Sequence, residues 1–327
     1  MIAPGYVPCD PAVWWGVLAV LVTEFALVAL VGGLRRLVPA RVAAWGVLVA
    51  SVAGVELLTL REPAGLRMLA LCAAGLYGMK GVVLVEHRAS GADPLGVRAW
   101  LAFVLAWPGM RAKAFAGAFG SARGGSAPLV RKGAVALAVG TVLLAVAHLV
   151  APTTHGRVLA TVLGLPALSL LLHFGVFDVC AAAWRALGAD CRELFRAPLA
   201  ARSLATFWSR RWNLAFSEML QLAVHRPLRA RLGARGATFA GFAVSALLHE
   251  MALSLPVHAG FGLPTLYFLL HGALVLVEEA LAARGRPVES RGVLAHVWTL
   301  TWLGAPVLLV FHPPFLEGVV WPLLGVR

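Results

Sequence analysis

Charge is scarce in this chain. Only 13% of its 327 residues are Asp, Glu, Lys or Arg, roughly half the share typical of soluble domains. Acidic residues are fewer still, 15 against 28 basic ones, and Lys80, Lys113 and Lys132 are the only lysines. The four cysteines (Cys9, Cys72, Cys180 and Cys191) form no CxxC pair and mostly lie in or beside apolar segments, so neither a disulfide framework nor a zinc site is indicated. The ten histidines are scattered, and "HEMAL" (His249 to Leu253) lacks the second histidine of an HExxH helix. With no HxxxH or HxxHH cluster either, a metal-dependent hydroxylase or protease is disfavoured and no cofactor is expected. Internal repeats, low-complexity tracts and a soluble domain are also missing. Met1 to Pro11 carries Asp10 and no positive charge ahead of the first apolar run, so no cleavable signal peptide is evident.

What the chain has in abundance is apolar length. It is 60% hydrophobic with a mean hydropathy of +0.84, and runs of about 20 apolar residues recur along it. These features predict an all-α, polytopic integral membrane protein. The expected spans are Val13 to Gly33, Val42 to Leu60, Met68 to Val85, Ala134 to Ala151, Val158 to Ala183, Ala237 to Pro256, Leu263 to Ala283 and Val293 to Val310. Trp100 to Trp107 and Phe315 to Val326 fall short of the ~17 residues that a span requires and are read as re-entrant or tilted.

The net charge of +13 is distributed as a membrane orientation signal, and no nucleic-acid partner is expected. Basic residues gather in alternate loops: Arg35, Arg36 and Arg41; Arg111, Lys113, Arg123, Arg131 and Lys132; ten arginines from Arg185 to Arg235; and Arg284, Arg286 and Arg291. The intervening linkers Pro152 to Arg157 and Val257 to Gly262 carry one basic residue in total, whereas Arg61 to Arg67 places two arginines on the expected outer side. The alternation puts the N-terminus outside and the 184–236 stretch in the cytoplasm. Arginine over lysine, with abundant Ala and Gly, suggests a GC-rich bacterial genome and hence the bacterial inner membrane. A single transmembrane domain, 1–327, is expected, with working elements at 184–236 and 237–256.

Within 184–236, Trp184, Leu187, Cys191 and Leu194 recur at helical spacing, with Arg185, Arg192 and Arg196 off that face, predicting an interfacial helix. A second helix is expected from Ser203, a good N-cap. On it Arg210, Asn213, Ser217 and Gln221 form one polar stripe, with Trp208, Trp212, Ala215, Phe216, Met219 and Leu222 opposite or to the sides. By itself that stripe suits a cytosol-facing helix anchored by tryptophans. The next span, however, buries His249 and Glu250 about 12 residues from its cytoplasmic end, or roughly 18 Å into a ~30 Å hydrocarbon layer. Ionisable groups at that depth are costly and mark function by default. His249 shares a face with Thr238, Phe242, Ser245 and Leu253, a wall suited to an acyl chain. Glu250 points about 100° away, toward a neighbouring helix or a structural partner. A neutral imidazole in a dry cavity can take a proton from an alcohol while amide or guanidinium donors steady an oxyanion, which fits acyl transfer to a hydroxyl.

The residues also carry a resemblance. "SLATFWSRRWNLAF" (Ser203 to Phe216), "FAVSALLHE" (Phe242 to Glu250) and "FVLAWPGM" (Phe103 to Met110) resemble segments of the wax-synthase branch of the membrane-bound O-acyltransferases. The resemblance implies a helical membrane enzyme with a buried catalytic tunnel, His249 as catalytic base and Asn213 assisting at the acyl carbonyl. It implies acyl-CoA as donor from the cytoplasmic side, Arg210 and Arg211 being candidates for its phosphates, and a lipophilic hydroxyl as acceptor. Trp208, Trp212, Ser217, Gln221, Phe242 and Ser245 complete the expected substrate contacts. Thr206 and Ser209 stand where the branch commonly has an acidic residue and a glycine, and "SALLHE" replaces "SGLMHE", which leaves the acceptor open between a long-chain alcohol and a diacylglycerol, sterol or specialised metabolite. The non-enzyme rival is a transporter using Glu24, Glu56, Lys80, Asp178, His173 and His271, several of which are expected to pair with one another.

Overall fold

The computed structural model describes residues 4–34 and 36–326; Met1 of the N-terminal segment and Arg35 of the first basic cluster lie outside them. Among the described residues every regular element is helical, and eight helices are long and apolar enough to cross a membrane. The protein is a multi-pass integral membrane protein, and each of the eight expected spans corresponds to one of these helices. Its chain divides into two compact units, residues 1–193 with 316–327, and residues 194–315.

In the first unit, α1 (Ala12–Gly33), α2 (Leu37–Thr59) and α3 (Ala64–Ala89) pack together, and α5 (Ser126–Val150) packs along α6 (Gly156–Ala186). Trp100 to Trp107 belongs to a ten-residue helix, α4 (Val97–Ala106), and Phe315 to Val326 falls largely in short helical turns over 313–324. Charged side chains facing lipid would be costly, and several here are paired. Arg67 meets Glu56 at 2.6 Å, Arg41 meets Glu86 at 2.6 Å, and Lys132 meets Asp178 at 3.2 Å. The fully buried Lys80 donates to the carbonyl of Gly109 in the WPG segment and lies 3.8 Å from the Phe103 ring centroid. Glu56, Lys80 and Asp178 thus find their partners elsewhere and not, as expected, among themselves.

The expected interfacial helix through Cys191 and Leu194 does not form. Helix α6 ends at Ala186, and Gly188, at φ 88°, supplies the left-handed C-terminal turn, with Ala189 N–H donating to Trp184 O at 2.9 Å. Beyond it, Asp190 gathers Arg111 (2.9 Å) and Arg192 (3.3 Å), contacts that a surface helix would have separated.

In the second unit, a short helical segment (Leu204–Thr206, then a π-helical turn Phe207–Arg211) precedes α7 (Leu214–Val257), α8 (Leu263–Ala283) and α9 (Val293–Val310). At 44 residues α7 would measure ~66 Å if straight, twice a bilayer core. Gly233 breaks it (φ 69°, ψ 177°), leaving an arm, 214–232, and a span, 234–257. The span packs on α8, and at Gly272 of α8 the side-chain-free backbone approaches Phe242 so closely that a Cβ would sit 2.9 Å from the Phe242 Cβ.

Candidate active site

The motif segment starts with a capped turn. Ser203 Oγ accepts from the Thr206 N–H at 3.0 Å and donates to Glu289 Oε1 at 2.6 Å, and Thr206 Oγ1 donates to the same oxygen. These hydroxyl donors, Ser203 first, hold the Glu289 carboxyl below its ordinary value of 4.5. The chain then leaves helical geometry at Trp212 (φ −109°, ψ 127°) and turns through Asn213 in the left-handed region (φ 43°, ψ 63°), a conformation that Asn tolerates better than most residues. Asn213 becomes the N-cap of α7, its Oδ1 accepting from the Phe216 N–H at 3.3 Å. That contact fixes the amide orientation, because an oxygen must face the N–H. The Nδ2 donors make no hydrogen bond to the described residues.

His249 is oriented in a complementary way. Its Nδ1 lies 2.7 Å from the Ser245 carbonyl, which accepts a hydrogen bond but cannot donate one, so Nδ1 carries the proton. The lone pair is therefore on Nε2, which has no hydrogen-bond partner among the described residues. The ring is held between Phe216 (centroids 5.5 Å) and Phe268 of α8 (3.9 Å). A π-helical turn, Glu250–Ser254, follows immediately, and two more, Phe207–Arg211 and Gln221–His225, occur in the same unit.

Asn213 and His249 line one cavity of about 270 Å³. Its wall follows α7 through Thr238, Gly241, Phe242, Ser245 and His249, eleven residue steps or ~16 Å of helix. Trp208, Trp212, Phe216, Ser217 and Gln221 face it from the motif segment and the arm, and Val275 and Glu279 from α8. A pre-formed, mostly apolar chamber with convergent polar groups is the usual form of a small-molecule site.

Eight of the ten expected site residues thus meet at this chamber: His249, Asn213, Trp208, Trp212, Ser217, Gln221, Phe242 and Ser245. The arginines do not. Arg210 is exposed outside the lining, and Arg211 donates to the Ala197 carbonyl at 3.1 Å, tying the motif to its preceding loop. The single polar stripe is also corrected: the break at Trp212–Asn213 puts Arg210 on a different segment from Asn213, Ser217 and Gln221, and turns Trp208, Trp212 and Phe216 toward the chamber. Leu253 is buried off the lining, beyond the change of pitch that follows His249. Glu250 resolves as a cap of α8, its Oε1 accepting from Gly262 N (2.9 Å), Thr265 N (3.0 Å) and Thr265 Oγ1 (2.7 Å). Reasoning from sequence missed His225, Val275 and Glu279. The last two lie four apart on an apolar helix outside every motif, and only packing selects their face.

Residues 191–270, which hold Asn213 and His249, match the model of the Membrane bound O-acyl transferase family. Among curated relatives, a probable long-chain-alcohol O-fatty-acyltransferase 2 of Arabidopsis thaliana is 37% identical over 147 residues, 41% of this chain and 42% of that protein. The long-chain-alcohol O-fatty-acyltransferase of Simmondsia chinensis is 37% identical over 101 residues, 28% of this chain and 29% of that protein. Acyl-CoA--sterol O-acyltransferase 1 of Arabidopsis thaliana is 30% identical over 154 residues, 43% and 44% of the two chains. The matches span less than half the length of these relatives. Over this segment the chain is similar to the Membrane bound O-acyl transferase family and to long-chain-alcohol O-fatty-acyltransferases.

Proposed function

We propose that the protein transfers a long-chain acyl group from acyl-CoA to the hydroxyl of a lipophilic alcohol, forming an ester. The observation that carries this reading is one chamber offering a proton acceptor, His249 Nε2, and an unspent amide donor, Asn213 Nδ2. In the reaction the alcohol oxygen attacks the thioester carbonyl carbon while its proton passes to Nε2. The carbonyl oxygen becomes an oxyanion and accepts from Asn213. Collapse re-forms the carbonyl, breaks the carbon–sulfur bond and returns the proton from His249 to the departing thiolate, so no net proton is released. General-base help contributes typically 10²–10⁴-fold and an oxyanion donor about 10²–10³-fold.

The donor's anionic nucleotide approaches from the cytoplasmic side, in the orientation set by the basic loops, with the bacterial inner membrane as the setting. With Arg211 held by backbone carbonyls, the donor's phosphates meet Arg210 and the exposed arginines on either side of the Gly233 break (Arg226, Arg229 and Arg231 of the arm and Arg235 at the start of the span), which lie between the chamber residues His225 and Ala237. The acceptor is a long-chain primary alcohol. A sterol acceptor is the second reading, favoured by the sterol-acylating relative.

The test is purified protein with a long-chain acyl-CoA and a panel of fatty alcohols, sterols and diacylglycerol, followed by free thiol release and ester mass. His249→Ala is expected to lower ester formation by at least ~10²-fold without loss of the folded protein. A fully active H249A variant would remove the base from the mechanism.

A further inference from the structure

The short motif segment has too little helix of its own to hold a catalytic amide in place. Its first helical piece spans three residues, Leu204–Thr206, so its leading N–H groups have no turn behind them to accept their hydrogen bonds. Ser203 serves the Thr206 N–H. The others are taken by a carboxylate from another helix. Glu278 of α8, only 4% exposed, accepts the Leu204 N–H on Oε1 (2.9 Å) and the Ala205 N–H on Oε2 (2.8 Å), while Oε1 also accepts the Trp298 indole N–H of α9 (2.8 Å).

Glu278 is therefore fully engaged and lies outside the chamber lining, whereas its neighbour Glu279 and Val275, one turn back, line it. The same helix carries Phe268, whose ring backs His249. One rigid element thus touches both halves of the reacting pair, through a ring beside the imidazole and through a carboxylate at the root of the segment that ends in Asn213. We infer that Glu278 is a positioning residue for acyl transfer, setting Trp208 and Asn213 at their height against His249 by clamping Leu204 and Ala205 to α8. The inference rests on the chamber being the acyl-transfer site.

The clamp needs two acceptor oxygens. Glutamine at 278 would turn an NH₂ group toward one of the N–H donors, while aspartate keeps both oxygens on a shorter stem. In the purified full chain, E278Q is expected to lower kcat by about tenfold or more, with KM for acyl-CoA within about twofold, and E278D to recover most of the rate. Amide hydrogen exchange of peptides covering 203–213 should quicken by about tenfold in E278Q while peptides covering 237–249 keep wild-type protection. Wild-type turnover, or unchanged exchange over 203–213, overturns the inference. Loss of protection in both regions also overturns it, by making Glu278 a residue of global stability. H249A, run alongside, reports on the chamber itself: its full activity sinks the site reading, while the exchange result still decides whether the clamp exists.

Discussion

Gly272 sets the width of the chamber from behind, which makes Gly272→Ala a quantitative perturbation. The added methyl carbon would lie 2.9 Å from Phe242 Cβ, 3.0 Å from Phe242 Cγ and 3.3 Å from Phe239 Cδ2. Carbon atoms rest at about 3.5–4.0 Å, so the gap must widen by roughly 0.6 Å. Because the nearest atom is a Cβ, no rotamer change relieves the clash; α7 and α8 must separate, or Phe242 must be driven toward Trp208, whose ring meets it edge-on with centroids 6.3 Å apart. Overpacking of this kind costs about 1–3 kcal/mol, and Gly→Ala within a helix returns about 0.5–1 kcal/mol, leaving a net loss of about 0–2.5 kcal/mol. Activity is more sensitive than stability, since a 1 Å misplacement can cost ~10²-fold and a shift of roughly half that size about tenfold. The assay pairs detergent thermal unfolding with ester formation, using Gly46→Ala as control, because nothing lies within 4 Å of a Cβ at Gly46. A G272A variant with wild-type turnover would refute the reasoning, as would G46A falling equally.

Two further expectations concern the carboxylates around the site. Glu250→Ala strips the cap from the start of α8 and should cost about 1 kcal/mol in thermal unfolding, with H249-dependent chemistry retained; an unchanged melting temperature would mean that the three hydrogen bonds carry no weight. Glu289, whose folded-state pKa is depressed by Ser203 and Thr206, contributes stability that is fully present above its ordinary value of 4.5 and is lost as pH falls through the lower folded value. The melting-temperature gap between wild type and Glu289→Gln should therefore hold constant at neutral pH and narrow below 4.5; a gap that widens on acidification would reverse the sign of the linkage.

The spans were legible because a bilayer demands ~20 apolar residues and little else in the chain competes with that signal. His249 stood out for the same reason, as an ionisable group where desolvation is costly. Local breaks were harder. Nothing in "RRWNL" announces that the backbone turns left-handed at Asn213, and a helical wheel drawn through it joins Arg210 to residues on a different segment. The same blindness extended one broken helix too far at Gly188, where a left-handed turn ends α6 before Cys191. Partners of buried charges were not readable either, because Arg67 for Glu56 and Lys132 for Asp178 are chosen by packing between helices. Helix α8 is the largest omission: its sequence is apolar nearly all round, so the face carrying Phe268, Val275 and Glu278 emerges only once α7 lies against it.

A structure with a non-hydrolysable 2-oxoalkyl thioether analogue of a long-chain acyl-CoA, in which a methylene separates the sulfur from a retained carbonyl, would locate the donor's reacting carbon. It should lie in the 194–315 unit, with the acyl oxygen about 3 Å from Asn213 Nδ2 and His249 Nε2 facing the open side where an alcohol would stand. An analogue bound outside this chamber, or bound within it with His249 turned away and sealed behind Phe268, would contradict the assignment of both residues.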